Sequence, residues 1–131
     1  KADDTLPDSI GAFYNPEANV IYVRPGMNAP DIFRCLSVEM AHAELARSMG
    51  SEYSRENAQF SAYCVSYVLC REYGVDVSVF TFENAPGQFE GKDPKEIRAE
   101  LGSIREAAGE IGSRMREALQ RDRAPKEQEV R

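Results

Sequence analysis

The sequence predicts an α+β domain with a small N-terminal β-hairpin, two central helices and a long amphipathic C-terminal helix. Two runs of β-branched and aromatic residues flank a short turn near the N terminus. Two apolar patterns of helical period follow, and a third extends over the last third of the chain. At 131 residues the chain is long enough for one domain with its own core.

The hairpin is predicted for residues 10–23. Residues 10–14 and 20–23 are typical of strands, and residues 15–19 are turn formers that include Asn and Pro. Pro25 and the glycine after it end the second strand. Residues 1–9 precede the hairpin, and we expect them to form a flexible N-terminal segment.

The first helix is predicted to begin near Asn28 or Asp31, either of which can cap it, with Pro30 in the first turn. Gly50 is expected to end it. The face with helical spacing consists of Ile32, Cys35, Leu36, Glu39, His42, Ala43, Leu45, Ala46 and Met49.

Ser54 is predicted to cap a second helix that ends at Gly74. The alternating residues 75–82 indicate either a short strand or an extended segment that crosses the helices. Asp93, with proline next to it, begins the last helix, whose apolar stripe runs to Leu119. We expect the polar tail that follows to be frayed or disordered.

The composition argues against several classes of function. The net charge of −6 and the pI near 4.9 argue against a nucleic-acid-binding surface, which needs a basic stripe. No apolar run has the length of a membrane span. The three cysteines form no paired framework, so we expect reduced, buried thiols in a cytoplasmic protein. The chain opens without methionine, which suggests a domain of a longer polypeptide.

The most informative motif is the run from Val38 to His42. It matches the zinc-binding pattern H-E-x-x-H at Glu39 and at His42, but valine replaces the first histidine, and His42 is the only histidine in the chain. In that pattern two histidines hold zinc and the glutamate acts as a general base on the metal-bound water.

A third ligand could come from Glu56, near the start of the second helix. Catalytic zinc needs about three protein ligands, and only His42 and Glu56 are good candidates. Cys35 lies two helical turns from His42, about 10 Å along the axis, so we interpret it as a core thiol. From the residues alone, a structural hydrogen-bonded pair of Glu39 and His42 is the favoured interpretation.

Three stretches, in this order, resemble a known family. They are the hairpin at 11–23, the motif helix at 36–45 and the start of the next helix at 56–62. Together they are similar to the zincin-like metallopeptidase domain of ArdC-type antirestriction proteins and to the ImmA/IrrE family of bacterial peptidases. The helix from Asp93 resembles the one that closes the ArdC-type domain, so the resemblance covers residues 10–119.

The resemblance implies a role for each matching residue. His42 takes the place of the second zinc-binding histidine, Glu39 that of the catalytic base and Glu56 that of the third ligand, whereas Val38 departs from the pattern. We therefore expect either no cofactor or weakly bound zinc. The resemblance also implies a module of a larger protein from a bacterial mobile element. Residues 1–9 and 120–131 would flank the zincin-like domain.

These observations favour a degenerate zincin-like domain that is catalytically impaired and serves as a binding or interaction module for a protein or peptide partner. The alternative is a residual zinc-dependent metallopeptidase that uses His42, Glu56 and Glu39. A third hypothesis is an oligomerisation module with the exposed side of helix 97–119 as its interface.

Overall fold

The computed structural model describes the backbone of residues 1–129 and the side chains of residues 1–122. It confirms the predicted α+β class, with a two-stranded sheet at the N terminus and a mostly helical remainder. A single turn of 3-10 helix at Gly50–Glu52 follows the first helix. The elements are β1 (Ala12–Asn15), β2 (Val20–Val23), α1 (Ala29–Met49), α2 (Arg55–Glu72), α3 (Ala85–Gln88) and α4 (Pro94–Glu129).

The hairpin forms as the turn residues indicate. β1 and β2 pair antiparallel, with Ala12 opposite Val23 and Asn15 opposite Val20. Asn19 has a φ of 52° at the end of the turn, a left-handed conformation that asparagine tolerates better than most residues. Its side chain also accepts a hydrogen bond of 3.1 Å from the hydroxyl of Tyr14, which ties the turn to β1.

The first three residues lie against the outer edge of β2. The Lys1 ammonium group donates to the carbonyl of Ile21, Val23 donates to the carbonyl of Lys1, and Asp3 donates back to the carbonyl of Val23. These backbone contacts differ from the flexible segment expected for residues 1–9. An edge strand offers unpaired N–H and C=O groups to any extended segment, so its pairing leaves no pattern in the side chains.

The predicted caps begin the three long helices. Each capping side chain accepts a hydrogen bond of 2.9–3.0 Å from the backbone N–H of the third residue after it, and so satisfies a donor that the helix itself leaves free. The caps are Asn28, Ser54 and Asp93. Gly50, which adopts a φ of 61°, ends α1 as predicted.

The core lies between α1, α2 and α4, and α2 packs against both of the others. α1 contributes two buried residues, and α2 and α4 contribute four each. They are Ala41, Leu45, Ala58, Ala62, Val65, Leu69, Ile104, Ala107, Ala108 and Ile111. The predicted stripe on α4 is buried only along its middle, because Leu101 and Leu119 are each about half exposed.

Two local predictions require correction, and one open alternative is decided. Residues 75–82 form no strand: the segment lies against α2, with a turn closed by a hydrogen bond from Phe80 to the carbonyl of Val77, and the N–H of Thr81 donates to the hydroxyl of Tyr63 at 2.7 Å. α4 continues to Glu129 through the polar tail, where many Arg, Glu, Lys and Gln residues favour a helix although Pro125 does not. Of the three cysteines, which are all free, only Cys70 is buried.

Within the described residues, no helix is both long enough and apolar enough to cross a membrane.

Candidate functional site

Glu39 is a buried carboxylate on the inner face of α1, with 3% of its surface exposed. Its Oε1 atom accepts two hydrogen bonds of 2.8 Å, one from the backbone N–H of Tyr14 and one from Nη1 of Arg55. Its Oε2 atom accepts a third, of 2.7 Å, from Nη2 of Arg55. A single carboxylate therefore joins β1, α1 and the start of α2.

The bidentate pair with Arg55 explains why the charge of Glu39 is tolerated at this depth. A buried carboxylate is stable only if it is paired and hydrogen-bonded, and the guanidinium fork matches its two oxygens. The hydrogen bonds that Arg55 donates to Glu39 raise the pKa of Arg55 above its usual value. The Arg55 guanidinium also lies over the ring of Phe13 in β1, 5.5 Å from its centroid. This cation–π contact with the hairpin adds to the stability of the ion pair.

His42 lies one turn further along α1 and is fully buried. Its Nε2 atom is 3.1 Å from Oε1 of Gln59, and its Nδ1 atom is 3.1 Å from the hydroxyl of Tyr53. Because the amide oxygen of Gln59 can only accept, Nε2 carries the proton and Nδ1 accepts from Tyr53. Both ring nitrogens are thus engaged inside the protein.

Burial sets the charge state of this imidazole. Desolvation lowers the pKa of His42 below its ordinary value, and the positive charge of Arg55 lowers it further, against the opposing effects of Glu39 and Gln59. The ring is therefore neutral at neutral pH. Burial also raises the pKa of Tyr53, which keeps its hydroxyl protonated as a donor to Nδ1.

Glu56 is exposed and lies in the first turn of α2, where a carboxylate interacts favourably with the helix dipole. It lines a cavity of about 370 Å³ together with Gln59, and the amide of Gln59, not Glu56, is the hydrogen-bond partner of His42 Nε2. Among the described residues, no group of three or more His, Cys, Asp or Glu side chains is placed to hold a metal ion.

Val38, at the place of the missing histidine, has apolar surroundings. It is partly buried against the core and lines a cavity of about 260 Å³ with Cys35, Tyr63 and Phe80. Burial raises the pKa of the Cys35 thiol. Valine at the place of the first histidine packs as an apolar side chain and supplies no ligand.

A zinc ion does not fit these donors. Glu39 accepts three hydrogen bonds, from Arg55 and Tyr14, and the only lone pair of the neutral His42 ring accepts from Tyr53. Coordination by His42 would require that its bond to Tyr53 break, and a dication at Glu39 would lie beside the guanidinium of Arg55. Glu56 alone remains free of such contacts within the described side chains, and one carboxylate does not make a zinc site.

Three partners of the motif were not singled out from the sequence. Arg55 and Gln59 lie four residues apart, so they share the face of α2 that packs on α1, and Tyr53 precedes the helix. One signal was present: a glutamate and a histidine on an otherwise apolar helix face each require a polar partner. The sequence does not say which residue supplies it.

Comparison with protein-family models, with curated proteins and with solved structures finds no match to this chain. The zincin-like assignment therefore stays a prediction from the motif and the order of the elements.

Proposed function

We propose that this domain is a degenerate zincin-like module that recognises a protein or peptide partner without metal chemistry. The observation that carries the proposal is the pairing of Glu39 with Arg55. The residue that would act as the base accepts three hydrogen bonds, and two of them come from Arg55, which pairs with its charge inside the protein.

The pairing of His42 supports the same conclusion. A metal-binding imidazole donates from one nitrogen and coordinates through the other. In this chain the second nitrogen accepts a hydrogen bond from Tyr53 instead, and the ring is buried beneath α2. Glu39 and His42 therefore connect the hairpin and two helices and stabilise the scaffold.

The wider context of the module rests on the resemblance alone. Under this proposal the domain is part of a larger cytoplasmic protein of a bacterial mobile element, and the scaffold of an ancestral peptidase serves for recognition. The acidic character of the chain, with a net charge of −6, supports a protein or peptide partner over nucleic acid.

An assay for peptide hydrolysis tests the proposal against the residual metallopeptidase. The purified chain is incubated with unfolded casein and with a quenched fluorescent peptide library, in added zinc and in chelator. We expect no cleavage that depends on zinc, because the proposal leaves no metal ion to activate water, and Glu39 is buried and paired with Arg55.

The matched variant is Glu39→Gln, whose fold is checked by circular dichroism. Cleavage that requires zinc and is lost both in chelator and in this variant would establish the peptidase and overturn the proposal. Cleavage that is insensitive to both would be attributed to a contaminating protease.

A further inference from the structure

A cavity with aromatic walls lies between α2 and the segment that leads into α3. Its volume is about 370 Å³, and Phe60, Tyr63 and Phe82 supply its large apolar side chains. Tyr63 contacts the ring of Phe82 in an edge arrangement at 5.4 Å, and Phe60 contacts Phe89 in the same way at 5.6 Å. These contacts fix the ring orientations, so the cavity is formed before any ligand arrives.

The cavity carries one charge, and that charge is negative. Of its lining residues only Glu56 is ionised, and the others are aromatic, aliphatic or neutral polar. No ion pair or hydrogen bond to the Glu56 carboxylate is present among the described side chains. The neighbouring Arg55 forms its salt bridge with Glu39, so it does not neutralise the charge of Glu56. Glu83, next to Phe82, is exposed and adds a second negative charge nearby.

Lys92 of this chain shows how a lysine side chain packs beside an aromatic ring and a carboxylate. The ammonium group of Lys92 lies 5.9 Å from the centroid of Phe89 and pairs with Glu100 at 2.7 Å. An aromatic face and a carboxylate together stabilise a lysine side chain, because the ring attracts the cation and the methylene chain packs on apolar surface. The cavity beside Phe60 offers both components without a lysine of its own.

We propose that this cavity, defined by Glu56, Phe60, Tyr63 and Phe82, binds a lysine side chain of a basic peptide partner. The ammonium group pairs with Glu56, and the methylene chain lies between the aromatic rings. Charge complementarity decides the occupant, since the lining residues include no cation and the whole chain is acidic. This inference rests on the proposed function, because it assigns a partner chemistry to a recognition module.

A titration with short peptides tests the proposal. The probe is the blocked pentapeptide Ala-Ala-Lys-Ala-Ala, and the matched control replaces lysine with norleucine, which has the same carbon chain length without the ammonium group. Binding is followed in the full chain by the shifts of ¹⁵N-labelled backbone amides. We expect the lysine peptide to shift the amides of residues 56–63 and 81–88, and the norleucine peptide to bind about tenfold more weakly.

Two variants locate the interaction. Glu56→Gln removes the negative charge and is expected to weaken binding of the lysine peptide about fivefold. Phe60→Leu removes an aromatic ring and is expected to weaken the same binding about threefold. Glu52→Gln is the control, since Glu52 is exposed and close in sequence but does not line the cavity. It should leave the affinity unchanged.

Equal binding of the two peptides, equal weakening by Glu52→Gln and Glu56→Gln, or shifts confined to other residues would each overturn the lysine site. None of these results would affect the proposal that the domain lacks metal chemistry, which the hydrolysis assay tests separately. Conversely, zinc-dependent cleavage would overturn the proposed function whatever the peptides do.

Discussion

Replacement of Arg55 by methionine is expected to lower the free energy of unfolding by about 2–3 kcal/mol. Glu39 would stay buried, but of its three hydrogen bonds only the one from the Tyr14 N–H would remain. Loss of one partner of a buried ion pair is costly because it leaves the other charge desolvated. The side chain of Arg55 is 43% exposed, so water that enters its place moderates the loss.

Urea unfolding of the wild type and two further variants makes this test specific. Arg47→Met is the control, because Arg47 is exposed and pairs with Glu44 at the surface, and it should cost about 0.5 kcal/mol or less. Combining Arg55→Met with Glu39→Gln should recover part of the lost stability, since the neutral amide still accepts from Tyr14. If Arg55→Met costs no more than Arg47→Met, the pair does not hold the scaffold.

His42→Ala should have an effect of similar size, with a loss of about 2–4 kcal/mol. The imidazole is fully buried between α1 and α2, and its removal leaves a cavity and two polar groups, on Tyr53 and Gln59, without their partner. Tyr53→Phe removes only one of these hydrogen bonds and should cost about 1 kcal/mol.

These unfolding measurements are made in chelator, which separates a packing role of His42 from a metal-binding one. If the wild type in chelator were already as unstable as His42→Ala, the histidine would stabilise the fold through a bound metal ion. A loss well below 1 kcal/mol would show that the buried ring contributes little.

Local signals in the sequence predicted most of the fold. Asn28, Ser54 and Asp93 precede apolar patterns of helical period, and each caps a helix as expected, because capping depends on residues only three positions away. The turn at 15–19 likewise joins two strands that are adjacent in sequence. Residues 75–82 were ambiguous for the same reason, since an alternating pattern does not say whether a strand partner exists.

The candidate site depends on contacts between residues far apart in the chain. Glu39 and His42 could be placed on one helix face, and the structural hydrogen-bonded interpretation of them was available from the residues alone. Their partners Arg55 and Gln59 lie 16 and 17 residues away, on a helix whose packing angle decides which side chains meet. Glu39 and His42 each have a structural role, but no hydrogen bond joins them, so the predicted pair of these two residues is wrong: Glu39 bonds to Arg55 and His42 to Gln59.

Isothermal titration calorimetry of the metal-free chain with zinc tests whether Glu39, His42 and Glu56 can bind a metal ion. If the hydrogen bonds to Arg55, Gln59 and Tyr53 keep Glu39 and His42 from a metal ion, the wild type should bind no stoichiometric zinc at sub-micromolar affinity. Its titration should then match that of His42→Gln. Binding of one zinc ion per chain at sub-micromolar affinity, lost in both His42→Gln and Glu56→Gln, would show that the site holds metal and that the domain is not a metal-free module.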